Sequence, residues 1–227
     1  MLIISLKTEA AGNSLEKISR VELSDGSIFS FRNCYLPQEI ISNYIESFGD
    51  GVSGADLPNC ENAGSSEITA IEEAAFRRAS ACLRTEKNAL RLIARAEQCV
   101  TGISRKLEKR GLDAACVKAV IERLCSLQLL DDARFARLWL ESRLRLPRSP
   151  RRLLIALCSR GISREDAEAA LKNILDEDAE YALLLRFAKK LARKKKKPDE
   201  SGSRPLKRLL KNEGFSHTAI QRFLETE

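Results

Sequence analysis

The chain has 227 residues, 31% of them charged and only 5% aromatic, with 39 Lys/Arg against 32 Asp/Glu. Such a composition argues against a sheet protein and for helices with broad solvated faces, and no apolar run reaches the roughly 18 residues of a membrane-spanning helix. The charge is unevenly placed: the first 66 residues hold four Lys/Arg against nine Asp/Glu, leaving 35 against 23 in a basic remainder that points to an anionic partner.

Residues 1–35 carry the only strand character, with Asp25-Gly26 between the two β-prone runs of SRVELSDGSIFSF (19–31) as a hairpin signal. PQEIISNYIESF (37–48) reads as a short helix with Pro37 in its first turn. The next stretch, 49–66, is rich in Gly, Ser, Asn and Asp and reads as a linker. It contains a G-x-G-x-x-G at Gly49, Gly51 and Gly54, but no strand precedes it and no helix opens on it, so a dinucleotide has nowhere to sit.

From Glu67 the pattern is helical. Three heptapeptides, LEKRGLD (107–113), LCSRGIS (157–163) and LKNEGFS (210–216), repeat one arrangement. Leu107, Leu157 and Leu210 are core residues at helix ends, with Ile103, Leu153 and Leu206 four residues back. Gly111, Gly161 and Gly214 fit the left-handed position past a helix end, and Leu112, Ile162 and Phe215 fold back on the last turn. Asp113, Ser163 and Ser216 then cap a following helix. A longer helix precedes each pair, at about 69–97, 131–145 and 177–196, with Asp131 or Asp132 capping the second and Pro147 and Pro150 marking its end. The last unit is interrupted by PDESGSRP (198–205). The reading is an all-α fold: three tandem three-helix repeats in a curved array, behind a small N-terminal segment with a β-hairpin. The segments are 1–48, a linker 49–66, and repeats at 67–128, 129–175 and 176–227.

The seven cysteines (Cys34, Cys60, Cys82, Cys99, Cys116, Cys125, Cys158) are odd in number and form no C-x-x-C, which predicts free thiols used as small hydrophobes. The N-terminus lacks a basic region and a long apolar core, so a cytoplasmic, membrane-free location is expected. No catalytic constellation stands out. His217 is the only histidine and has no partner pattern. Asp131 and Asp132 fall at a helix start, where carboxylates cap amides. No phosphate-binding loop motif is present. A monomer without enzymatic activity, metal or cofactor is expected. Phe135 and Trp139 are read as core.

What remains is positive charge. From Arg143 to Arg160 there are six arginines and no acid: Arg143, Arg145, Arg148, Arg151, Arg152 and Arg160. They surround a helix junction at Pro150 that is expected to offer guanidinium forks and free backbone amides. From Arg186 to Lys197 there are eight basic residues and again no acid, among them Lys189, Lys190 and Arg193 as further candidate contacts. Its final lysines, 194–197, also suit a solvated helix end.

The stretch LLDDARFARLWLESRLRLPRSPRRLLIALCSRGIS (129–163) is similar to the central repeat of the bacterial RecX family, regulators of the RecA recombinase. The resemblance rests on Asp131, Asp132, Phe135, Ala136, Ser142, Arg143, Pro150, Arg151, Arg152, Leu157 and Gly161, and continues more weakly from about Ala89 to the C-terminus. Departures are Cys99 and Gly102 where the first repeat of the family has Ser and Glu, and Ser149 where a glycine usually precedes the central proline. The resemblance implies a helical modulator lying in the groove of a RecA–DNA filament and restraining its activities. A stand-alone DNA-binding module, contacting single- or double-stranded DNA, and a scaffold for another acidic protein remain open from the residues alone.

Overall fold

The computed structural model describes residues 2–9, 18–45, 68–194 and 203–226. The linker 49–66 with its three glycines, most of 198–205, and Lys195, Lys196 and Lys197 lie outside the described residues. By compactness the chain divides into two units, Met1–Arg95 with Ser104–Ser126, and Ala96–Ile103 with Leu127–Glu227. The fold is mostly helical, with one small antiparallel sheet at the N-terminus. Among the described residues no helix is long and apolar enough to cross a membrane.

In the first unit β1 (Ile3–Glu9), β2 (Ile18–Leu23) and β3 (Ile28–Arg32) pair in the order β1-β2-β3. The Asp25-Gly26 turn closes with the Gly26 N–H donating to the Leu23 carbonyl at 2.9 Å, Gly26 standing at φ +82°. The Asp25 carboxylate accepts from the Ser27 amide and hydroxyl, both at 2.8 Å. The strand character read over residues 1–35 takes in a third strand, β1, which lies at the sheet edge with Ile4 57% exposed.

The inward residues of β2 and β3 (Val21, Leu23, Phe31) are fully buried, and the Phe31 ring lies 5.4 Å from Phe76 of α2 (Ala70–Ile93). A buried polar tie accompanies this contact. Arg32 Nε donates to both carboxylate oxygens of Glu86 at 2.9 and 3.0 Å, and the Tyr35 hydroxyl donates to one of them at 2.9 Å. Arg123 of α4 (Ala114–Ser126) approaches the same carboxylate at 3.9 Å. Burial, with the Glu86 charge beside it, pushes the Tyr35 hydroxyl pKa up. The N-terminal segment thus shares a core with α2. After Pro37, which stands just before the helix, α1 (Gln38–Ile40) makes one turn and widens into a π-type turn over Ile41–Ile45. Helix α2 opens on a reciprocal cap: the Glu72 amide donates to Thr69 Oγ1, and the Thr69 amide donates to the Glu72 carboxylate.

The three corners share one geometry. They follow α3 (Val100–Glu108), α6 (Pro150–Cys158) and α9 (Ser203–Asn212), and Gly111, Gly161 and Gly214 stand at φ +72°, +91° and +88°. The amides of Leu112, Ile162 and Phe215 donate back to the carbonyls of Leu107, Leu157 and Leu210, and each glycine amide donates three residues back. This doubly bonded ending satisfies carbonyls that a helix end otherwise leaves open. Asp113, Ser163 and Ser216 then accept from the amides of Cys116, Asp166 and Ala219, starting α4, α7 (Arg164–Ile174) and α10 (His217–Thr226).

In the second unit α6, α7, α9 and α10 join α5 (Asp132–Arg143) and α8 (Glu177–Lys194) around one core. Leu140, Leu153, Leu157, Leu183, Leu184 and Leu210 are fully buried there, and Phe187 meets Phe215 at 5.6 Å. Each such side chain contributes on the order of 1.5–3 kcal/mol. Two corners also have close neighbours within the unit. A Cβ at Gly161 would fall 2.2 Å from Thr101 Oγ1, and one at Gly214 would fall 3.3 Å from the Arg151 amide, whereas Gly111 has nothing within 4 Å.

Two measurements check this account. Gly111→Ala is expected to cost about 1–2 kcal/mol from the left-handed backbone alone. Gly161→Ala should cost at least about 1 kcal/mol more because Thr101 must also move. Urea midpoints of the two variants give the difference. Separately, Glu86→Ala strands the buried Arg32 guanidinium and should lower unfolding free energy by about 3–5 kcal/mol, read from the same denaturation curves.

Candidate partner-binding surface at the α5–α6 junction

Asp131 starts α5 by accepting from the Arg134 amide at 2.9 Å, and Ser149 starts α6 by accepting from the Arg152 amide at 3.4 Å, with Pro150 supplying the preset first turn. Between them the chain turns tightly: the Leu146 amide donates to the Arg143 carbonyl and the Arg148 amide to the Leu146 carbonyl. Arg145 is exposed and Arg148 half-buried on this loop. Helix α8 lies against it, with Arg186 donating to the Leu144 carbonyl at 2.7 Å and Lys190 Nζ to the Pro147 carbonyl at 3.5 Å. Two cations from the second basic run therefore concentrate charge on the loop of the first.

The six arginines do not form one patch. Arg143 and Arg160 lie over the Trp139 ring, at 5.6 and 4.6 Å from its centroid, in cation–π geometry. Trp139 and Phe135 pack half-buried against the core. Arg151 donates through a guanidinium nitrogen to the Asn212 carbonyl at 3.1 Å, and Arg152 pairs with Glu213 at 3.6 Å. Among the described residues Arg145 and Arg148 make no ion pair.

The expectation of free backbone amides at Pro150 is corrected. The Arg151 amide donates to the Glu213 carbonyl at 3.0 Å, the Arg152 amide is taken by Ser149, and the Ser149 hydroxyl itself donates to the Glu213 carboxylate. The run from Arg143 to Arg160 is acid-free along the chain but not in space, because the third corner delivers Glu213 to it. No local signal in the sequence announces this contact.

On α8, Arg186, Lys190 and Arg193 recur at i, i+4 and i+7 and share the side that carries the junction contacts. Lys189 does not join them. It lines a groove of about 230 Å³ with Tyr181, Leu185 and Phe223 on the way to α10. His217 is exposed in the first turn of α10.

The paired aspartates have separate tasks. Asp131 caps its own helix, while Asp132 Oδ1 accepts from the Val100 amide at 2.8 Å, satisfying the start of α3. Partial burial, with Asp166 and Asp131 nearby, raises the Asp132 pKa although the Val100 amide opposes this. The departures at Cys99 and Gly102 also make sense together. A Cβ at residue 102 would fall 2.9 Å from Cys99 Sγ, and that thiol reaches the Arg160 carbonyl at 3.5 Å.

Three-helix modules, each with a capped glycine corner between its second and third helices, place the chain in the helical-repeat class of proteins. A family model for the second three-helix domain of RecX matches residues 131–171, which include α5, α6, their junction and the Gly161 corner. The regulatory proteins RecX of two strains of Treponema pallidum, the Nichols strain among them, are each 38% identical over 147 residues, spanning 64% of this chain and 87% of theirs. A crystal structure of a regulatory protein RecX shares the fold with a TM-score of 0.68 at 16% identity, covering 100% of this chain and 99% of its own. That of RecX from Lactobacillus salivarius has a TM-score of 0.54 at 20% identity, covering 64% and 96%. The chain belongs to the RecX family of regulatory proteins.

Because its folded-state pKa is raised, the protonated form of Asp132 favours the native state at low pH, and that contribution is lost as pH rises through its pKa. Asp132→Asn keeps an oxygen acceptor for Val100 and removes the charge. It is therefore expected to be more stable than the parent at pH 7, with the difference vanishing below about pH 4, as followed by urea unfolding across that range.

Proposed function

We propose that this protein binds a RecA–DNA filament and restrains its recombinase, ATPase and co-protease activities, acting in the cytoplasm without catalysis of its own. Family membership supports the regulatory role, and the resemblance in the central repeat supplies the recombinase as partner. The single observation that carries the choice of surface is the α5–α6 loop, where Arg145 and Arg148 have no acidic partner among the described residues while Arg186 and Lys190 are drawn in beside them. Guanidinium groups so placed suit carboxylates or phosphates of an acidic groove. Arg143, Arg151, Arg152 and Arg160 shape this surface rather than lead it, and Lys190 and Arg193 extend it along α8.

Near-stoichiometric protein is expected to slow DNA-dependent ATP hydrolysis by the filament. Reversing Arg145→Glu with Arg148→Glu should weaken binding by about 2–5 kcal/mol, whereas Lys189→Glu should change it little. Reversal at Arg152 is a poor probe because it sets a carboxylate against Glu213. Co-sedimentation with filament and with naked DNA over a salt series checks the reading. Binding that needs the assembled filament supports it, while equal binding to naked DNA with a steep log–log salt slope favours the DNA-binding module instead.

A further inference from the structure

We propose that Cys82 and Cys116 form a reversible intramolecular disulfide, a covalent clasp between α2 and α4 within the first unit. Cys82 lies in the middle of α2 and Cys116 in the first turn of α4, and their sulfurs stand 2.8 Å apart. A disulfide needs about 2.05 Å, so closure asks for a sulfur movement of less than about 1 Å, within the reach of side-chain torsions. Both side chains are buried, at 3% and 1% exposure, and held by packed helices, so neither sulfur drifts away from the other. Cys34, Cys125 and Cys158 are exposed instead.

Access is one-sided. A groove of about 620 Å³ between α2 and α4 is lined by Arg77, Arg78, Asp113 and Cys116 among others, and Cys82 does not line it. Cys116 is thus the one of the pair that borders the groove, although its side chain stays buried. The Cys82 thiol donates to Cys116 Sγ, which favours charge there, while the Asp113 carboxylate that caps the same turn opposes it. Burial works against the thiolate at both sites and pushes the Cys82 thiol up to about 12.

With hydrogen peroxide as oxidant the chemistry balances in two steps. The Cys116 thiolate attacks one peroxide oxygen, the O–O bond breaks, and the departing hydroxide takes a proton to become water, leaving a sulfenic acid. Cys82 sulfur then attacks the sulfenyl sulfur and loses its proton as the S–O bond breaks and a second water leaves. Two electrons pass from the two thiols to one peroxide. The clasp joins positions 34 residues apart, so the oxidised chain loses unfolded-state freedom that the reduced chain keeps.

The test uses the full chain. It is treated with hydrogen peroxide, remaining thiols are alkylated, and the protein is digested with trypsin under non-reducing conditions. Peptides 79–84 (ASACLR) and 111–118 (GLDAACVK) are expected as one linked species, two hydrogens lighter than their sum and separated by dithiothreitol. The oxidised protein should melt at a higher temperature than the reduced one, and Cys82→Ala should abolish both the linked species and the shift. Recovery of Cys82 and Cys116 as separate alkylated or sulfinic peptides, or linked only to other cysteines, would overturn the proposal. The wild-type peptide map decides the matter even where the alanine variant does not fold.

Discussion

The left-handed glycine at the end of each repeat's second helix controls the rest of the structure. A residue at positive φ lets the chain reverse within two residues while its neighbours' amides return to the helix's last carbonyls. Because that reversal is so short, the residue after the glycine must fold back onto the core, as Ile162 and Phe215 do. The residue after that is placed where it can cap the next helix. The same compactness lets a corner approach the first turn of another helix: Gly161 lies on Thr101 of α3, and Gly214 on Arg151 of α6. The positions following the pattern of Cys99 and Ser149 then meet the residue just before the glycine, Arg160 in one case and Glu213 in the other.

That seating explains how basic residues of similar appearance come to have different tasks. Arg151 and Arg152 sit in the first turn of α6 and are engaged by the corner that covers it. Arg143 and Arg160 flank Trp139, where the ring's negative face offsets part of the cost of holding two guanidinium groups near the core. Only the loop between the helices is left clear of these demands. Among the described residues of this loop Arg145 and Arg148 make no ion pair, and α8 adds Arg186 and Lys190 beside them.

The first unit relies on a different device. Its sheet is too small to bury a core unaided, and it gains one by laying β3 along α2. The Arg32–Glu86 pair, with the Tyr35 hydroxyl on the same carboxylate, fixes that placement more selectively than Phe31 against Phe76 does, since an apolar contact tolerates sliding and directional hydrogen bonds do not.

Much of the fold is legible in the chain because its signals are local. Apolar spacing, the glycine with its following apolar residue, the capping Asp or Ser, and Pro150 each act within one or two turns of backbone, so the helices from Ala70 onward and the Asp25-Gly26 hairpin are readable from neighbours alone. The edge strand β1 was legible only as general strand character over residues 1–35, because an exposed edge needs no alternating pattern. The candidate surface was half legible. Arginine density marks the α5–α6 junction, yet which arginines remain available depends on Glu213, which reaches Ser149 across 64 residues, and on Arg186 reaching Leu144 across 42. Cys82 and Cys116 likewise meet only when α2 packs on α4. The sequence by itself determined where helices start, stop and turn, since those choices belong to single residues and their immediate backbone. Which charges are neutralised and which sulfurs touch was decided by tertiary packing alone, because those interactions join residues that no local pattern relates.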